Sequence, residues 1–129
     1  MSLGSDHSSS HHNSTVLVVE DEVLIAMDLE AMLTQRGWRV ISAATVQGAL
    51  RLLEIERPDV ALLDVNIGGE MVTPVAAALK KLDVPFVLSS AYDEMELQRV
   101  NLLVGALYVK KPVSQQRLYS VLAEASRRT

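Results

Sequence analysis

The chain has 129 residues, a net charge of −4, 49% apolar and 22% charged residues, and no cysteine. That length suits one domain, and the missing cysteines exclude disulfides and thiolate metal sites. The acidic balance, without a basic block, argues against direct nucleic-acid binding, and no apolar run approaches the roughly 18 residues of a membrane span.

With one Phe and one Trp, the core must be aliphatic. The start lacks the basic and apolar regions of a secretion signal, so a reducing, cytoplasmic setting is expected. Residues 1–13 are polar and hold all three histidines. They read as a disordered lead or the scar of an expression tag, and the folded domain is expected over residues 14–127.

Thr15-Val-Leu-Val-Val19 is a continuous apolar run, the mark of a strand buried on both faces. It ends in Glu20-Asp21-Glu22. Ile25, Leu29, Met32 and Leu33 then share one helical face, and Gly37 is expected to close that helix. Residues 38–44 form a strand of mixed polarity, interrupted by Arg39 and Ser42, which belongs at a sheet edge. Thr45 is expected to cap a second helix whose inward residues are Val46, Ala49, Leu50 and Leu53. Pro58 stops that helix before a third strand, Asp59-Val-Ala-Leu-Leu-Asp64.

Residues 66–70, Asn-Ile-Gly-Gly-Glu, are expected to be a loop. Thr73-Pro74 supplies a cap and a first-turn proline for a helix to about residue 82. Residues 84–88 form another buried strand, ending at Ser89-Ser90. Asp93 and Glu96 have capping-box spacing, and Leu97, Val100 and Val104 continue a fourth helix. Residues 106–109 form a short fifth strand, followed by Lys110-Lys111-Pro112. Ser114 caps a last helix with the stripe Leu118, Val121, Leu122 and Ala125.

Five strands thus alternate with five helices. Right-handed crossovers turn such a series into an α/β fold, a doubly wound parallel (βα)5 sheet with helices on both faces, a three-layer sandwich. The three most apolar strands should be central and the two mixed ones at the edges. That matches the order 2-1-3-4-5, whose switch point lies between strands 1 and 3.

Chemistry in such sheets gathers at the C-terminal strand ends. Strand 1 ends at Glu20-Asp21 and strand 3 at Asp64, so three carboxylates converge in one crevice. Two such charges about 5 Å apart repel by roughly 3 kcal/mol at an effective dielectric near 20. A cation, a proton or a basic side chain must offset them. Oxygen ligands with room for water suit Mg²⁺. Ser89-Ser90 adds a hydroxyl after strand 4, and Lys111 adds a fixed positive charge after strand 5. Acids, a hydroxyl and a lysine at one sheet edge suit phosphoryl transfer. The competing reading is that Glu20-Asp21-Glu22 only favours a helix N-terminus through the macrodipole.

Val-Val-Glu20-Asp21-Glu22, Leu-Leu-Asp64-Val-Asn66, Ser90-Ala91 and Tyr108-Val-Lys-Lys111-Pro112 together resemble the receiver domain of bacterial two-component response regulators. The resemblance covers residues 15 to about 126 and implies the flavodoxin-like arrangement. It implies that Asp64 accepts a phosphoryl group from a histidine kinase or a histidine phosphotransfer protein. Asp21 and Asp64 would bind Mg²⁺ directly, with the Asn66 carbonyl as a further ligand and Glu20 acting mostly through water. Lys111 would contact the acyl phosphate, and its bond to Pro112 would be cis. Ser90 would move to the phosphoryl group, and Tyr108 would turn inward behind it. The face built from the fourth helix, the fifth strand and the last helix would signal to an output domain, a partner protein or a second copy. Met95, Arg99, Leu102, Tyr108, Lys110 and Gln115 are its candidate residues.

Some positions depart from the family pattern. Glu20 stands where Asp is usual, and Ser90 where Thr is commoner. The Asn-Ile-Gly-Gly-Glu stretch replaces a frequent Met-Pro pair. Together with the preceding Glu-Asp-Glu it is similar to small stand-alone receivers of alphaproteobacteria, although that subgroup often has Thr-Gly-Tyr at Ser90-Ala91-Tyr92. The resemblance implies a phosphoacceptor that catalyses its own labelling, not a turnover enzyme. Two rivals remain. One is a pseudo-receiver that binds partners without phosphorylation. The other is a Mg²⁺-dependent phosphohydrolase of the haloacid dehalogenase type, which needs Asp where this chain has Asn66. No phosphate-binding glycine motif is present.

Overall fold

The computed structural model describes residues 14–90 and 106–127. In chain order it contains β1 (Thr15–Val19), α1 (Val23–Gln35), β2 (Arg39–Ala43), α2 (Val46–Ile55) and β3 (Val60–Asp64). A small hairpin of β4 (Asn66–Ile67) and β5 (Glu70–Met71) follows, then α3 (Thr73–Lys81), β6 (Phe86–Ser90), β7 (Leu107–Lys110) and α4 (Gln115–Arg127). The fourth predicted helix, with Met95, Arg99 and Leu102, lies outside the described residues, as do positions 91–92 and the lead at 1–13.

The main sheet is parallel with the order β2-β1-β3-β6-β7. Leaving out the hairpin strands, this is the expected 2-1-3-4-5. The apolar strands β1, β3 and β6 are buried along their whole length and occupy the centre. The mixed strands β2 and β7 take the edges, where one face and one ladder side can stay polar.

Because side chains alternate along a strand, each central strand feeds two cores. Val16, Val18, Val60, Leu62, Val87 and Val109 meet Leu29 and Leu33 of α1 and the α4 stripe Leu118, Val121, Leu122 and Ala125. Leu17, Val19, Ala61, Leu63, Phe86 and Leu88 meet α2 and α3 on the other side. Each fully buried aliphatic side chain stabilises the fold by roughly 1.5–3 kcal/mol. These two layers therefore fix which strand ends become neighbours.

Local signals decide the element ends. The Gly37 amide bonds the Thr34 carbonyl at 3.0 Å, the Trp38 amide bonds the Leu33 carbonyl at 3.1 Å, and Gly37 has φ +92°. This is a Schellman stop, which needs a left-handed residue. The Thr45 hydroxyl accepts from the Gly48 amide at 2.9 Å, and the Ser114 hydroxyl from the Arg117 amide at 3.2 Å, as expected of caps.

Three boundaries differ from expectation. Thr73 is the first residue inside α3 and Val72 holds the cap position, with no side-chain cap bond; the proline two residues on sets the start instead. Trp38 sits in the core, 4% exposed, just before β2. Residues 66–71 are a paired hairpin and not an open loop, with Gly68 at φ +58° and Gly69 at φ +86°. Positive φ at both central positions is the turn whose twist suits a two-residue hairpin.

Candidate functional site

Strand register brings the site together. Val19 pairs with Leu63, so the next residues of those two strands, Glu20 and Asp64, emerge side by side. Asp64 pairs with Ser89 across β6, and Ser90 pairs with Lys110 across β7. The Lys111 amide continues this ladder by donating to the Ser90 carbonyl at 2.9 Å. The Lys111–Pro112 peptide is cis.

Lys111 Nζ donates to Glu20 Oε1 at 2.9 Å and to Asp64 Oδ2 at 2.9 Å. Glu20 is 3% exposed and Asp64 9%. The second Glu20 oxygen accepts from the Glu22 amide at 3.1 Å, and Asp64 Oδ1 from the Asn66 amide at 3.3 Å. Asp21 is exposed, and its Oδ2 accepts from the Gly68 amide at 2.8 Å. One carboxylate oxygen from each of Glu20, Asp21 and Asp64 falls in a cluster within 4.8 Å.

Glu22 holds the cap position of α1 and makes no side-chain cap bond. Glu20 instead turns into the crevice, where burial pushes its carboxyl pKa up against the opposing pull of Lys111 and the Glu22 amide. Burial alone would lower the pKa of Lys111, but bonds to Asp64 and Glu20 outweigh it and raise it. The ammonium therefore stays charged and bridges two carboxylates.

Three carboxylates face one ammonium, so the cluster keeps a surplus of negative charge. Its donors are all oxygen, and Asp21 opens it to solvent. That set fits a hard divalent cation that retains part of its water shell, as Mg²⁺ does. It does not fit a nitrogen and sulfur site for zinc.

Ser90 is 2% exposed at the end of β6. Tyr108 is half-buried on the edge strand and packs against the core on the α2 and α3 side. Lys110 is exposed. Gln115 turns to the α1 side, where its side-chain amide meets Tyr119 Oη at 2.8 Å and Gln35 at 3.4 Å. Sequence reasoning missed the bond from Gly68 to Asp21 and the bond from Lys111 to Glu20. A signal for the first existed in the adjacent glycines, a common hairpin pair.

The family model of the response regulator receiver domain matches residues 16–123. The chain belongs to the response regulator receiver family. This receiver is 33% identical over 116 residues to the probable transcriptional regulator ycf27 of Cyanophora paradoxa, covering 88% of this chain and 48% of that protein. It spans about half the length of the curated relatives it matches. Its fold is similar to the receiver domain of the PhyR response regulator of Erythrobacter litoralis, with TM-score 0.79 and 27% identity, covering 88% of this chain and 90% of that one. A CheY-like receiver from Methanospirillum hungatei gives TM-score 0.79 and 25% identity, covering 89% and 94%. Response-regulator receivers serve phosphorelay signalling, and the family binds Mg²⁺ at an acidic cluster. No helix among the described residues of this receiver is long and apolar enough to cross a membrane.

Proposed function

We propose that this receiver, a cytoplasmic domain over residues 14–127, takes a phosphoryl group onto Asp64 from a histidine kinase or histidine phosphotransfer protein and passes the signal to a partner. The observation that carries this reading is one ammonium 2.9 Å from the Asp64 carboxylate, beside two further acids within 4.8 Å. An Asp64 oxygen attacks phosphorus while the N–P bond of the donor phosphohistidine breaks. The electron pair returns to the imidazole nitrogen, and an acyl phosphate remains. Lys111 follows the charge from the carboxylate to a phosphoryl oxygen. Asp21, Asp64 and the Asn66 carbonyl would hold Mg²⁺, with Glu20 acting mostly through water; the ion, when bound, would offset charge on the phosphoryl oxygens.

The Ser90 hydroxyl then turns to the phosphoryl group, and Tyr108 moves inward on the edge strand. Phosphorylation adds charge and acceptor oxygens, and that local change biases a two-state surface. The partner of that surface is an output domain, another protein or a second copy of the chain. Asp64 reacts once per phosphorylation, so the domain acts as a self-catalysing phosphoacceptor and not as a turnover enzyme.

Incubation with acetyl phosphate and Mg²⁺ followed by intact-mass measurement tests this. One phosphoryl adduct is expected on the wild type and none on Asp64→Asn. No adduct on the wild type, where a known receiver labels, would favour the pseudo-receiver reading.

A further inference from the structure

The hairpin of β4 and β5 reaches both acids at the crevice mouth. Its Asn66 amide donates to Asp64 Oδ1 at 3.3 Å, and its Gly68 amide donates to Asp21 Oδ2 at 2.8 Å. Asp21, between β1 and α1, is exposed, and an exposed carboxylate otherwise samples several staggered rotamers.

The hairpin is well anchored. Ile67 is 2% exposed within the core, and the Val72 amide donates to the Val65 carbonyl at 2.9 Å across its base. Asn66 pairs with Met71 and Ile67 with Glu70. A Cβ at Gly68 or Gly69 would meet nothing within 4 Å. Space therefore does not call for glycine at either place; the positive φ of both does. The turn angles in turn aim the Gly68 N–H at Asp21.

We propose that this hairpin is a positioning element for the acidic site, with the Gly68 amide holding the Asp21 carboxylate oriented toward Asp64 before a cation arrives. The proposal rests on the reading of Asp21 as a metal-binding residue. A backbone donor to an ionised carboxylate is a strong, directional bond. Donors that bond a metal-binding side chain from behind fix its orientation toward the metal. The amide occupies one lone-pair site of Asp21 Oδ2, and an ionised carboxylate has further lone pairs to offer an ion.

Gly68→Val and Gly68→Asn test this in the whole chain, with Mg²⁺ affinity measured by calorimetry. Val resists a left-handed backbone, whereas Asn tolerates it and keeps the N–H. Gly68→Val should weaken Mg²⁺ binding about tenfold, and Gly68→Asn should bring it back to within about threefold of wild type. A purely structural role would lower the melting temperature of Gly68→Val and leave the Mg²⁺ affinity alone. An affinity within about twofold of wild type in folded Gly68→Val would overturn the proposal. If that variant does not fold, amide exchange in the wild type decides. Gly68 should exchange more slowly than Gly69, both in chelator and with Mg²⁺. Free exchange of Gly68, or its release on adding Mg²⁺, would also overturn it. A wild type that binds no Mg²⁺ removes the metal-site reading itself; normal wild-type binding with an unaffected Gly68→Val removes only the hairpin's part.

Discussion

The ammonium of Lys111 lies 2.9 Å from Asp64 Oδ2, across 47 positions of sequence. The same nitrogen reaches Glu20, 91 positions away, at 2.9 Å. The lysine side chain is 17% exposed, and the carboxylates are 1% and 12% exposed. One cation thus holds two largely buried anions that would otherwise repel.

Removing that cation strands both charges. Lys111→Met should destabilise the metal-free domain by about 3 kcal/mol, the scale for breaking a buried ion pair by losing one partner. Mg²⁺ should restore much of the loss, because an ion bound only to the folded state at a hundred times its Kd stabilises by about 2.7 kcal/mol. Urea unfolding in chelator and in excess Mg²⁺ measures both effects. An equal loss in both conditions would mean that the lysine acts through contacts other than charge.

Asp64→Asn acts in the opposite direction. It leaves Glu20 and Lys111 as a balanced pair and removes surplus negative charge from the cluster. The metal-free fold should gain about 1 kcal/mol, roughly 3–5 °C in Tm for a domain of this size. Thermal unfolding in chelator checks it. A lower Tm for the variant would show that Asp64 is more valuable to Lys111 than it is costly to its acidic neighbours.

Glu20 makes stability depend on pH. Burial raises its folded-state pKa above the ordinary value of 4.5. The folded state therefore binds its proton more tightly than the unfolded state does between those two values. The contribution is fully present below 4.5 and fades as pH rises through the folded pKa. Metal-free Tm should climb as pH is lowered through the folded pKa toward 4.5, and Glu20→Gln should flatten that climb. Glu56, held below its ordinary value by Arg39, titrates under this window and does not compete. Parallel Tm profiles for the two proteins would contradict the assignment to Glu20.

Gly37 offers a change in stability without a change in chemistry. Its φ of +92° closes α1 at the far end from the acids. Gly37→Ala should cost about 1–2 kcal/mol, the penalty for a Cβ in a left-handed conformation. Labelling by acetyl phosphate should persist at temperatures where the variant is folded. Loss of labelling in a folded Gly37→Ala protein would show that the α1 ending reaches the site.

Local residue order was enough to place the five strands of the main sheet, to assign its centre and edges and to bring Glu20, Asp21 and Asp64 together; the β4–β5 hairpin was expected as a loop. Those follow from apolar runs of strand length and from crossover handedness, both written in local residue order. The run 15–19 and the stripe Leu118, Val121, Leu122 and Ala125 could each be read without any neighbour. Three-dimensional packing was needed to show that Lys111 spans Glu20 as well as Asp64, that Gln115 turns to α1 and that the Gly68 amide bonds Asp21. Each of these depends on side-chain directions and separations across distant segments. Differences of one or two ångströms decide whether such groups bond, and no periodicity in the chain encodes them.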